Sequence, residues 1–416
     1  MQLLYNLSVW LVNSILPLTK YLSPKMKKFV DGRKESLSIL NLKLKKDDDI
    51  IWFHVASLGE FEQGLPIIEA VKKLFPHHKI LVSFFSPSGF EVKKNSSVAD
   101  AVVYLPIDTK KNVRMFLDAA HPELAIFIKY EFWPNYLKEL KSRNITSLLI
   151  SAGFRENQMF FQSYGSWMKK SLLTFDHFFV QNKISKDLLN SIGFQNVTVS
   201  GDTRFDRVTK QIGQDNHLDF IEAFKDNKIC VVAGSTWPED EALLEDFINQ
   251  SSNEIKFIIA PHNIKPDQIN SFKGRLNKKT ILYSEKETRN LSNYQVFIID
   301  TIGLLSKIYS YADIAYVGGA AGNTGLHNIL EPATFGIPLI TGTNFDKFPE
   351  AKQLQELGGL YAVGDNEEFA IITSKLLKDE DFRVQTGMIA RYFVENNTGA
   401  TRIVEEYLKN NYVKRA

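Results

Sequence analysis

The feature that most constrains this chain is a regular alternation of short apolar runs and helical stretches, which starts at residue 50. The apolar runs are rich in β-branched and aromatic residues, and stretches such as "EFEQGLPIIEAVKKLF" and "WPNYLKELKSR" lie between them. Strands that are apolar on both faces and separated by helices indicate a parallel sheet covered on both sides. The first set of predicted strands comprises residues 50–57, 79–85, 101–106, 124–129, 146–151, 177–182 and 197–201.

The alternation restarts after residues 210–227, a polar stretch without strand character that suits a hinge. At 416 residues the chain is also too long for one ordinary core, so we predict an α/β protein of two Rossmann-like domains facing across a cleft. The second set of predicted strands comprises residues 228–234, 255–261, 279–284, 295–300, 313–319 and 336–341. The predicted divisions are an N-terminal segment (1–30), two Rossmann-like domains (31–209 and 210–395) and a C-terminal helix (396–416) that can pack back on the first domain.

The N-terminal segment has no charged side chain before Lys20, and Lys25, Lys27 and Lys28 follow it. The uncharged stretch approaches the roughly 20 residues that cross a bilayer, although two asparagines and a proline dilute it. It lacks the leading positive charge and small-residue cleavage site of a signal peptide. We expect it to attach the protein to a membrane, either by spanning it or by lying at its surface, with the domains on the cytoplasmic side. The alternative is an amphipathic helix packed on the protein.

Composition excludes several classes of function. Lys and Arg total 50 against 48 Asp and Glu, so the formal charge of +2 gives no signature of nucleic-acid binding. Cys230 is the only cysteine and lies in the apolar run "KICVVAGS", where an inert buried thiol is expected. The sequence contains no cluster typical of a metal site and points to no cofactor.

Two glutamates follow predicted strands of the first domain. Glu60 opens the helix after "HVASLG", and a carboxylate at a helix N-terminus is stabilised in its ionised form, as a general base requires. Glu131 follows another strand and stands beside Trp133, ahead of a helix that begins near Pro134. In parallel sheets, ligands bind beyond the carboxyl ends of the strands, so both glutamates can line one cleft. The alternatives are a favourable first-turn residue for Glu60 and a capping residue for Glu131.

Polar groups also follow strands near the hinge and in the second domain. Arg204, in "VSGDTRFD", can offset a phosphate, although a salt bridge to Asp202 or Asp206 is an equally good interpretation. Residues 234–236 form a turn before a helix, where backbone amides can bind an anion. His262 ends a strand and is a candidate ligand donor, against the default of a solvated surface histidine.

The stretch "GGAAGNTGLHNILEPATFGIPLI" (318–340) places several glycines before a short predicted helix. Glycines permit the positive φ angles and close backbone approach of an anion-binding nest. A phosphate at the helix start near His327 and Asn328, with sugar hydroxyls on Glu331 about one turn further on, describes a nucleotide. The sequence has neither a Walker A lysine nor a dinucleotide fingerprint at the first turn. Without a metal cluster, a single phosphate is easier to neutralise than two.

Taken together, "HVASLGE", "EFWPN", "SGDTRFD", "VGGAAGNTGLHNILEPATFGIPLITG" and the basic-flanked N-terminus resemble the 3-deoxy-D-manno-octulosonic acid (Kdo) transferases. The resemblance follows the whole chain in order. It implies an inverting glycosyltransferase of the GT-B fold that moves Kdo from CMP-Kdo onto the lipid A precursor of lipopolysaccharide, at the cytoplasmic face of the inner membrane of Gram-negative bacteria.

The resemblance also implies roles for individual residues. Glu60 becomes the general base, Glu131 assists at the transition state or acceptor, and Arg204 stands where relatives carry a lysine that stabilises the departing phosphate. The residues that match the CMP-binding stretches are Pro261, His262, Ile302, Gly303, Leu304, Asn328, Ile329, Leu330 and Glu331.

The chain departs from its relatives at three nucleotide-site positions. Leu304 replaces a glutamate, His262 follows Pro261 without an intervening arginine, and Gly153 stands where relatives carry an arginine. Two rival interpretations are a GT-B enzyme that uses a UDP-sugar with a lipid-linked acceptor and a nucleotide-binding scaffold without turnover.

Overall fold

The structure, a computed structural model, describes residues 1–412 and consists of two compact units. The first unit comprises residues 1–207 and the C-terminal segment from Thr398 onward, and the second comprises Val208–Asn397. The second unit is therefore inserted between two parts of the first. Residues 413–416 of the predicted C-terminal helix lie outside the described residues.

A seven-stranded sheet forms the centre of the first unit. Its strands are Ile50–Val55 (β1), Lys79–Phe84 (β2), Ala101–Tyr104 (β3), Leu124–Ile128 (β4), Thr146–Ala152 (β5), His177–Val180 (β6) and Val197–Val199 (β7). All neighbours are parallel, in the order β3–β2–β1–β4–β5–β6–β7. The helices that precede, connect or follow these strands are Gln2–Thr19 (α1), Pro24–Lys43 (α2), Leu58–Leu74 (α3), Pro87–Lys93 (α4), Lys110–Ala120 (α5), Pro134–Ser142 (α6), Ser166–Leu172 (α7), Lys183–Ser191 (α8) and Thr203–Thr209 (α9).

The second unit repeats this plan. Its strands are Ile229–Thr236 (β8), Ile255–Pro261 (β9), Thr280–Leu282 (β10), Val296–Ile298 (β11), Ile314–Val317 (β12), Leu339–Thr341 (β13) and Leu360–Ala362 (β14). They form a parallel sheet in the order β10–β11–β9–β8–β12–β13–β14. The helices of this unit are Asp219–Lys225 (α10), Pro238–Gln250 (α11), Pro266–Arg275 (α12), Leu305–Ile308 (α13), Leu330–Thr334 (α14), Pro349–Leu357 (α15), Asn366–Lys378 (α16) and Glu380–Asn396 (α17). The last described helix of the chain, Ala400–Asn411 (α18), belongs to the first unit.

The apolar runs of the sequence become strands because both faces of each sheet are covered. In β1, Ile50 and Trp52 enter one core cluster, whereas Ile51, Phe53 and Val55 enter another on the opposite face. Every strand predicted from the sequence is present, with ends that differ by at most a few residues. The predictions missed β14, a three-residue strand at the edge of its sheet in which only the first residue is buried.

Each sheet has a point where the strand order reverses. In the first unit this point lies between β1 and β4, and in the second between β8 and β12. The loops that leave the carboxyl ends of two such strands diverge to opposite faces, and the space between them is the usual ligand site of an open parallel sheet. In the first unit these loops lead to Glu60 and Glu131, and in the second they are the turn after Thr236 and the glycine-rich loop.

Helix α1 packs on the first unit through its polar residues. The Tyr5 hydroxyl donates to Asp108 Oδ2 at 2.6 Å, and Asn135 Nδ2 donates to Asn6 Oδ1 at 3.0 Å. Its apolar side chains face outward, and the exposed ones are Leu3, Leu4, Leu7, Trp10, Leu11, Val12, Ile15 and Leu18. None of the helices between residues 1 and 412 is both long and apolar enough to cross a membrane. The expectation that this segment spans the bilayer is therefore not supported, because polar residues interrupt its apolar run.

Helix α18 packs against α3 in the first unit, where Val404 and Leu408 join the core cluster that contains Phe61. The start of α18 is held by Asp206, which accepts hydrogen bonds from the backbone N–H groups of Gly399 and Thr401, both at 2.6 Å.

Candidate active site

Glu60 lies in the first turn of α3, directly after the central strand β1. Its side chain is half-buried, and Oε2 accepts a short hydrogen bond from the hydroxyl of Ser57, the residue that caps this helix. The structure therefore places a carboxyl group, fixed by one hydrogen bond, at the switch point of the first sheet.

Glu131 follows β4, the neighbour of β1, and is held by two ring N–H groups. Its Oε2 lies 3.0 Å from Nε2 of His54 and 2.8 Å from Nε1 of Trp133. His54 is completely buried, while the Glu131 side chain is 13% exposed. Trp133 Nε1 also lies 3.1 Å from His54 Nε2, but its single N–H group is closer to the carboxylate. Since a carboxylate can only accept, the consistent arrangement has His54 Nε2–H donating to Glu131.

His54 is in turn fixed by Ser83 on strand β2. Ser83 Oγ lies 2.8 Å from His54 Nδ1 and accepts a hydrogen bond of 2.8 Å from Nε1 of Trp52. With the Nε2–H group donating to Glu131, the Ser83 hydroxyl donates to the remaining lone pair of the ring. The sequence analysis did not select His54. The available signal was a histidine inside an otherwise apolar strand, two residues before the strand turns.

Arg204, in α9, forms an ion pair with the buried Asp202. The guanidinium bonds Asp202 Oδ2 through Nε at 2.9 Å and Nη2 at 2.8 Å, while Gln63 of α3 and Gln181 also donate to this carboxylate. Burial alone would raise the pKa of the Asp202 carboxyl, but the Arg204 charge and these hydrogen bonds hold it below its ordinary value. The salt-bridge alternative for Arg204 is thus present in the structure, and the Arg204 side chain remains 32% exposed.

Gly153, which stands where relatives carry an arginine, has little space for a side chain. A Cβ atom at this position would lie 3.0 Å from the hydroxyl of Tyr130 and 3.1 Å from Oε1 of Gln181. Another arginine, Arg155, stands close by, with its guanidinium 5.8 Å from the centre of the Tyr130 ring. Tyr130 therefore occupies the space into which a side chain at residue 153 would extend.

The glycine-rich loop of the second unit is organised around Asp240, in the first turn of α11. Asp240 Oδ2 accepts from the Gly319 N–H group at 2.8 Å and from Trp237 N–H at 2.8 Å, and Oδ1 accepts from the Tyr316 hydroxyl at 2.7 Å. Burial raises the pKa of the Asp240 carboxyl, although these bonds partly offset the effect. The Ala321 N–H group also points to Oδ1, at 3.4 Å.

This arrangement occupies two amides of the loop that was predicted to form a phosphate nest. The N–H groups of Gly319 and Ala321 bind the protein's own carboxylate at Asp240. Gly318 is required by close packing, because a Cβ atom there would lie 2.4 Å from the Ser235 carbonyl oxygen. Gly319 has a φ of 98°, which favours glycine. Sequence analysis selected the glycines of this loop. It did not select Asp240, which they surround, because that residue lies on another element, helix α11.

The short helix α14 begins at Leu330, later than expected, so Glu331 lies in its first turn and not one turn further on. Asn328 is exposed; its Oδ1 accepts from the Leu330 N–H group at 3.2 Å, and its Nδ2 donates to Glu331 Oε1 at 3.1 Å. The side chains of Ile329 and Leu330 are buried in the core. These two residues can therefore contribute only backbone groups to a ligand, whereas Asn328 and Glu331 offer side chains.

The stretch Ile302, Gly303 and Leu304 lies in the loop between β11 and α13. Ile302 is 81% exposed, and Gly303 has a φ of 90° with open space where a Cβ atom would lie. Leu304 is the residue before α13, and Tyr309 directly after this helix has its pKa raised mainly by burial and further by the charge of Glu331. This loop and Glu331 therefore belong to one edge of the second sheet.

Three aromatic rings stack at the carboxyl ends of β8, β9 and β12. The His262 ring lies 4.7 Å from that of Trp237, at an interplanar angle of 20°, and 4.4 Å from that of His327. His262 is exposed and follows Pro261 at the end of β9. Sequence analysis selected His262 as a ligand donor and placed His327 at the start of the predicted phosphate-binding helix. Trp237 was not assigned a role, although it directly follows strand β8.

Within residues 1–412, no group of three or more histidine, cysteine, aspartate or glutamate side chains is arranged to hold a metal ion. Cys230 is buried in β8, and burial raises the pKa of its thiol to about 12.

Comparison with known proteins shows which enzymes this chain is similar to. Residues 31–207 match the family model described as 3-deoxy-D-manno-octulosonic-acid transferase (kdotransferase). The chain is 27% identical to the 3-deoxy-D-manno-octulosonic acid transferase of Haemophilus influenzae over 86% of each protein. It is 29% identical to the enzyme of the same name from Aquifex aeolicus, over 80% of this chain and 88% of that protein.

A solved structure supports the fold. The UDP-GlcNAc 2-epimerase of Neisseria meningitidis matches with a TM-score of 0.64 at 15% identity, covering 87% of this chain and 100% of the other. The two parallel sheets and this likeness identify a GT-B fold. The chain is a glycosyltransferase, and it is similar over most of its length to the 3-deoxy-D-manno-octulosonic acid transferases.

Proposed function

We propose that the protein transfers Kdo from CMP-Kdo to a hydroxyl group of the lipid A precursor, with inversion at the anomeric carbon. The observation that carries this proposal is the pair of carboxylates at the switch point of the first sheet, Glu60 and Glu131, within the segment that matches the family model. One is held by a serine hydroxyl and the other by two ring N–H groups. Both are partly exposed, so they can meet a substrate.

In the proposed reaction Glu60 takes the proton from the acceptor hydroxyl. The oxygen then attacks the anomeric carbon of Kdo, the bond between that carbon and the phosphate oxygen breaks, and CMP leaves with the bonding electrons. Attack opposite the leaving group inverts the configuration. A positioned base typically contributes a factor of about 10²–10⁴ to such a reaction. Glu131, fixed by His54 and Trp133, offers a second negative charge for the electron-poor sugar carbon or for orienting the acceptor.

We assign the donor nucleotide to the second unit. Asn328 and Glu331 offer a linked amide and carboxylate for the ribose hydroxyl groups. The exposed ring of His262 and the exposed side chain of Ile302 offer surfaces for the remaining parts of CMP. The resemblance assigns the departing phosphate to Arg204, whose guanidinium is oriented by Asp202.

We further propose that α1 lies in the interface of the inner membrane, on its cytoplasmic side. The helix turns its apolar side chains away from the protein, and Lys20, Lys25, Lys27 and Lys28 follow or end it. Apolar residues beside a basic segment are typical of helices that lie on anionic bilayers. Such a location would bring a lipid acceptor to the enzyme.

The proposal is tested by incubating the purified protein with CMP-Kdo and the lipid A precursor and weighing the lipid product. A mass increase of one or more Kdo residues is expected, with release of CMP. Thermal unfolding in the presence of CMP or UDP provides the second arm. Protection by UDP but not by CMP, together with an unchanged lipid mass, would favour a UDP-sugar transferase. CMP protection without any lipid product would favour a nucleotide-binding scaffold.

A further inference from the structure

The stack of Trp237, His262 and His327, here called the three-ring stack, contains a hydrogen bond that fixes a proton position. Trp237 Nε1 lies 3.1 Å from Nε2 of His327 and can only donate. The Nε2 atom of His327 must therefore be the acceptor, which places the proton of the neutral ring on Nδ1. That Nδ1–H group has no hydrogen-bond partner among residues 1–412.

The protonation state of the histidine rings supports this assignment. Burial, and then the neighbouring His262, lower the pKa of His327 to about 4, so its ring is neutral near pH 7. Burial also lowers the pKa of His262. A neutral imidazole whose acceptor nitrogen is occupied presents one directed N–H donor.

The surroundings indicate what this donor would bind. The Gly319 and Ala321 amides, the expected phosphate ligands of the neighbouring loop, already bind Asp240. His327 itself is tied to that loop, since its backbone N–H group donates to the Gly318 carbonyl oxygen at 3.1 Å. The ring N–H group is thus a donor at the place where the sequence predicted phosphate binding, and the residue is half-exposed.

We propose that His327 Nδ1–H donates to a phosphate oxygen of the donor nucleotide and that Trp237 is the positioning residue that holds His327 in this tautomer. This inference rests on the proposed function, because it takes CMP as the ligand of the second unit. Trp237 acts through His327 by fixing which nitrogen carries the proton. The His262 ring packs against the His327 ring, 4.4 Å away and tilted by 32°.

The test combines nitrogen-15 NMR of the histidine rings with calorimetric titration of CMP into the full chain. In the wild type, His327 should show the Nδ1–H tautomer. Trp237→Phe keeps an aromatic ring for stacking but removes the donor, so His327 should become a mixture of tautomers and the Kd for CMP should rise about fivefold to tenfold. Trp167→Phe is the matched control, because the Nε1 atom of Trp167 has no hydrogen-bond partner in the described chain and lies in the first unit.

A double-mutant cycle guards against an effect of misfolding. His327→Asn presents an amide N–H group near the position of Nδ1 without needing the tryptophan. Trp237→Phe should therefore change CMP affinity far less in the His327→Asn background than in the wild type. An Nε2–H tautomer in the wild type, unchanged CMP affinity in Trp237→Phe, or an equal effect in both backgrounds would overturn the inference alone. If the wild type does not bind CMP at all, the proposed function fails and the inference fails with it.

Discussion

The carboxyl-terminal edges of the two sheets have similar topology and different chemistry. In both units the first strand lies at the centre and the strand order reverses beside it. The edge of the first sheet carries Glu60 and Glu131, two carboxylates held by hydroxyl and ring donors. The edge of the second carries a glycine loop closed around Asp240 and a stack of rings. One edge is suited to accept a proton, and the other to bind a ligand.

The difference shows that the backbone plan of a Rossmann-like unit does not decide what its loops do. Both edges contain an acidic residue in the first turn of the helix after the central strand, Glu60 in α3 and Asp240 in α11. Glu60 is half-buried and available to a substrate, whereas Asp240 is fully buried and supports the loop from within. The same helix position thus holds a partly exposed carboxylate in one unit and a buried, loop-supporting carboxylate in the other.

The largest effect should come from removing the proposed base. Glu60→Gln keeps the shape of the side chain but cannot accept a proton, so kcat should fall by about 10²–10⁴-fold. CMP affinity, measured by calorimetry, should stay within twofold of the wild type because Glu60 is in the other unit. Glu62→Gln, on the same helix, is the matched control and should leave kcat nearly unchanged. Near-normal transfer by Glu60→Gln would contradict the assignment of the base.

The second carboxylate should matter less. Glu131→Gln retains an oxygen that accepts from Trp133 but loses the negative charge, so we expect kcat to fall by about a hundredfold. His54→Phe should lower kcat in the same direction, since Glu131 then loses one of its two donors. Initial rates of Kdo transfer measure both effects. Glu139→Gln serves as a control for carboxylate removal elsewhere in this unit, and a Glu131→Gln rate equal to that control would refute a catalytic role.

Two buried aspartates should give opposite pH dependences of stability. The folded-state pKa of Asp202 is lowered, so its contribution is present above the unfolded value of about 4 and is lost as the pH falls. The pKa of Asp240 is raised, so its contribution is present below about 4 and is lost as the pH rises through the folded-state value. Each change to Asn should cost about 1–3 kcal/mol through the lost hydrogen bonds.

The measurement for the aspartates is urea unfolding from pH 8 to pH 3. The free-energy gap between the wild type and Asp202→Asn should narrow as the pH falls, whereas the gap for Asp240→Asn should widen. If the two differences in unfolding free energy change in the same direction with pH, the ion pair with Arg204 does not give Asp202 a pKa shift opposite to that of Asp240.

The smallest effect should be on donor binding. Glu331→Gln weakens the acceptor for the ribose hydroxyl groups, so the Kd for CMP should rise about tenfold, as expected for one hydrogen bond to a charged group. We expect kcat at saturating CMP-Kdo to stay near the wild-type value. Glu356→Gln, at an exposed position of α15, is the control. A loss of kcat with unchanged Kd would instead place Glu331 among the residues that act on the reaction step.

The fold was accessible from sequence because strands that are buried on both faces leave a strong apolar pattern, as in β1 and β8. The three-residue edge strand β14 was missed because it is short and only Leu360 is buried. The residues that follow the strands, among them Glu60, Glu131 and His262, could be predicted for the same reason. The residues that contact the site from distant parts of the sequence could not be predicted. His54 and Glu131 are 77 positions apart, and Asp240 and Gly319 are 79 positions apart.

The insertion of the second unit into the first has a consequence for synthesis on the ribosome. Helix α18 covers α3 and is secured by Asp206, yet it is made after the whole of Val208–Asn397. The apolar patch around Phe61 must therefore wait for nearly two hundred further residues before its cover is translated. A nascent chain stalled within the second unit would leave this patch open, and chaperones that bind apolar surface should act there first.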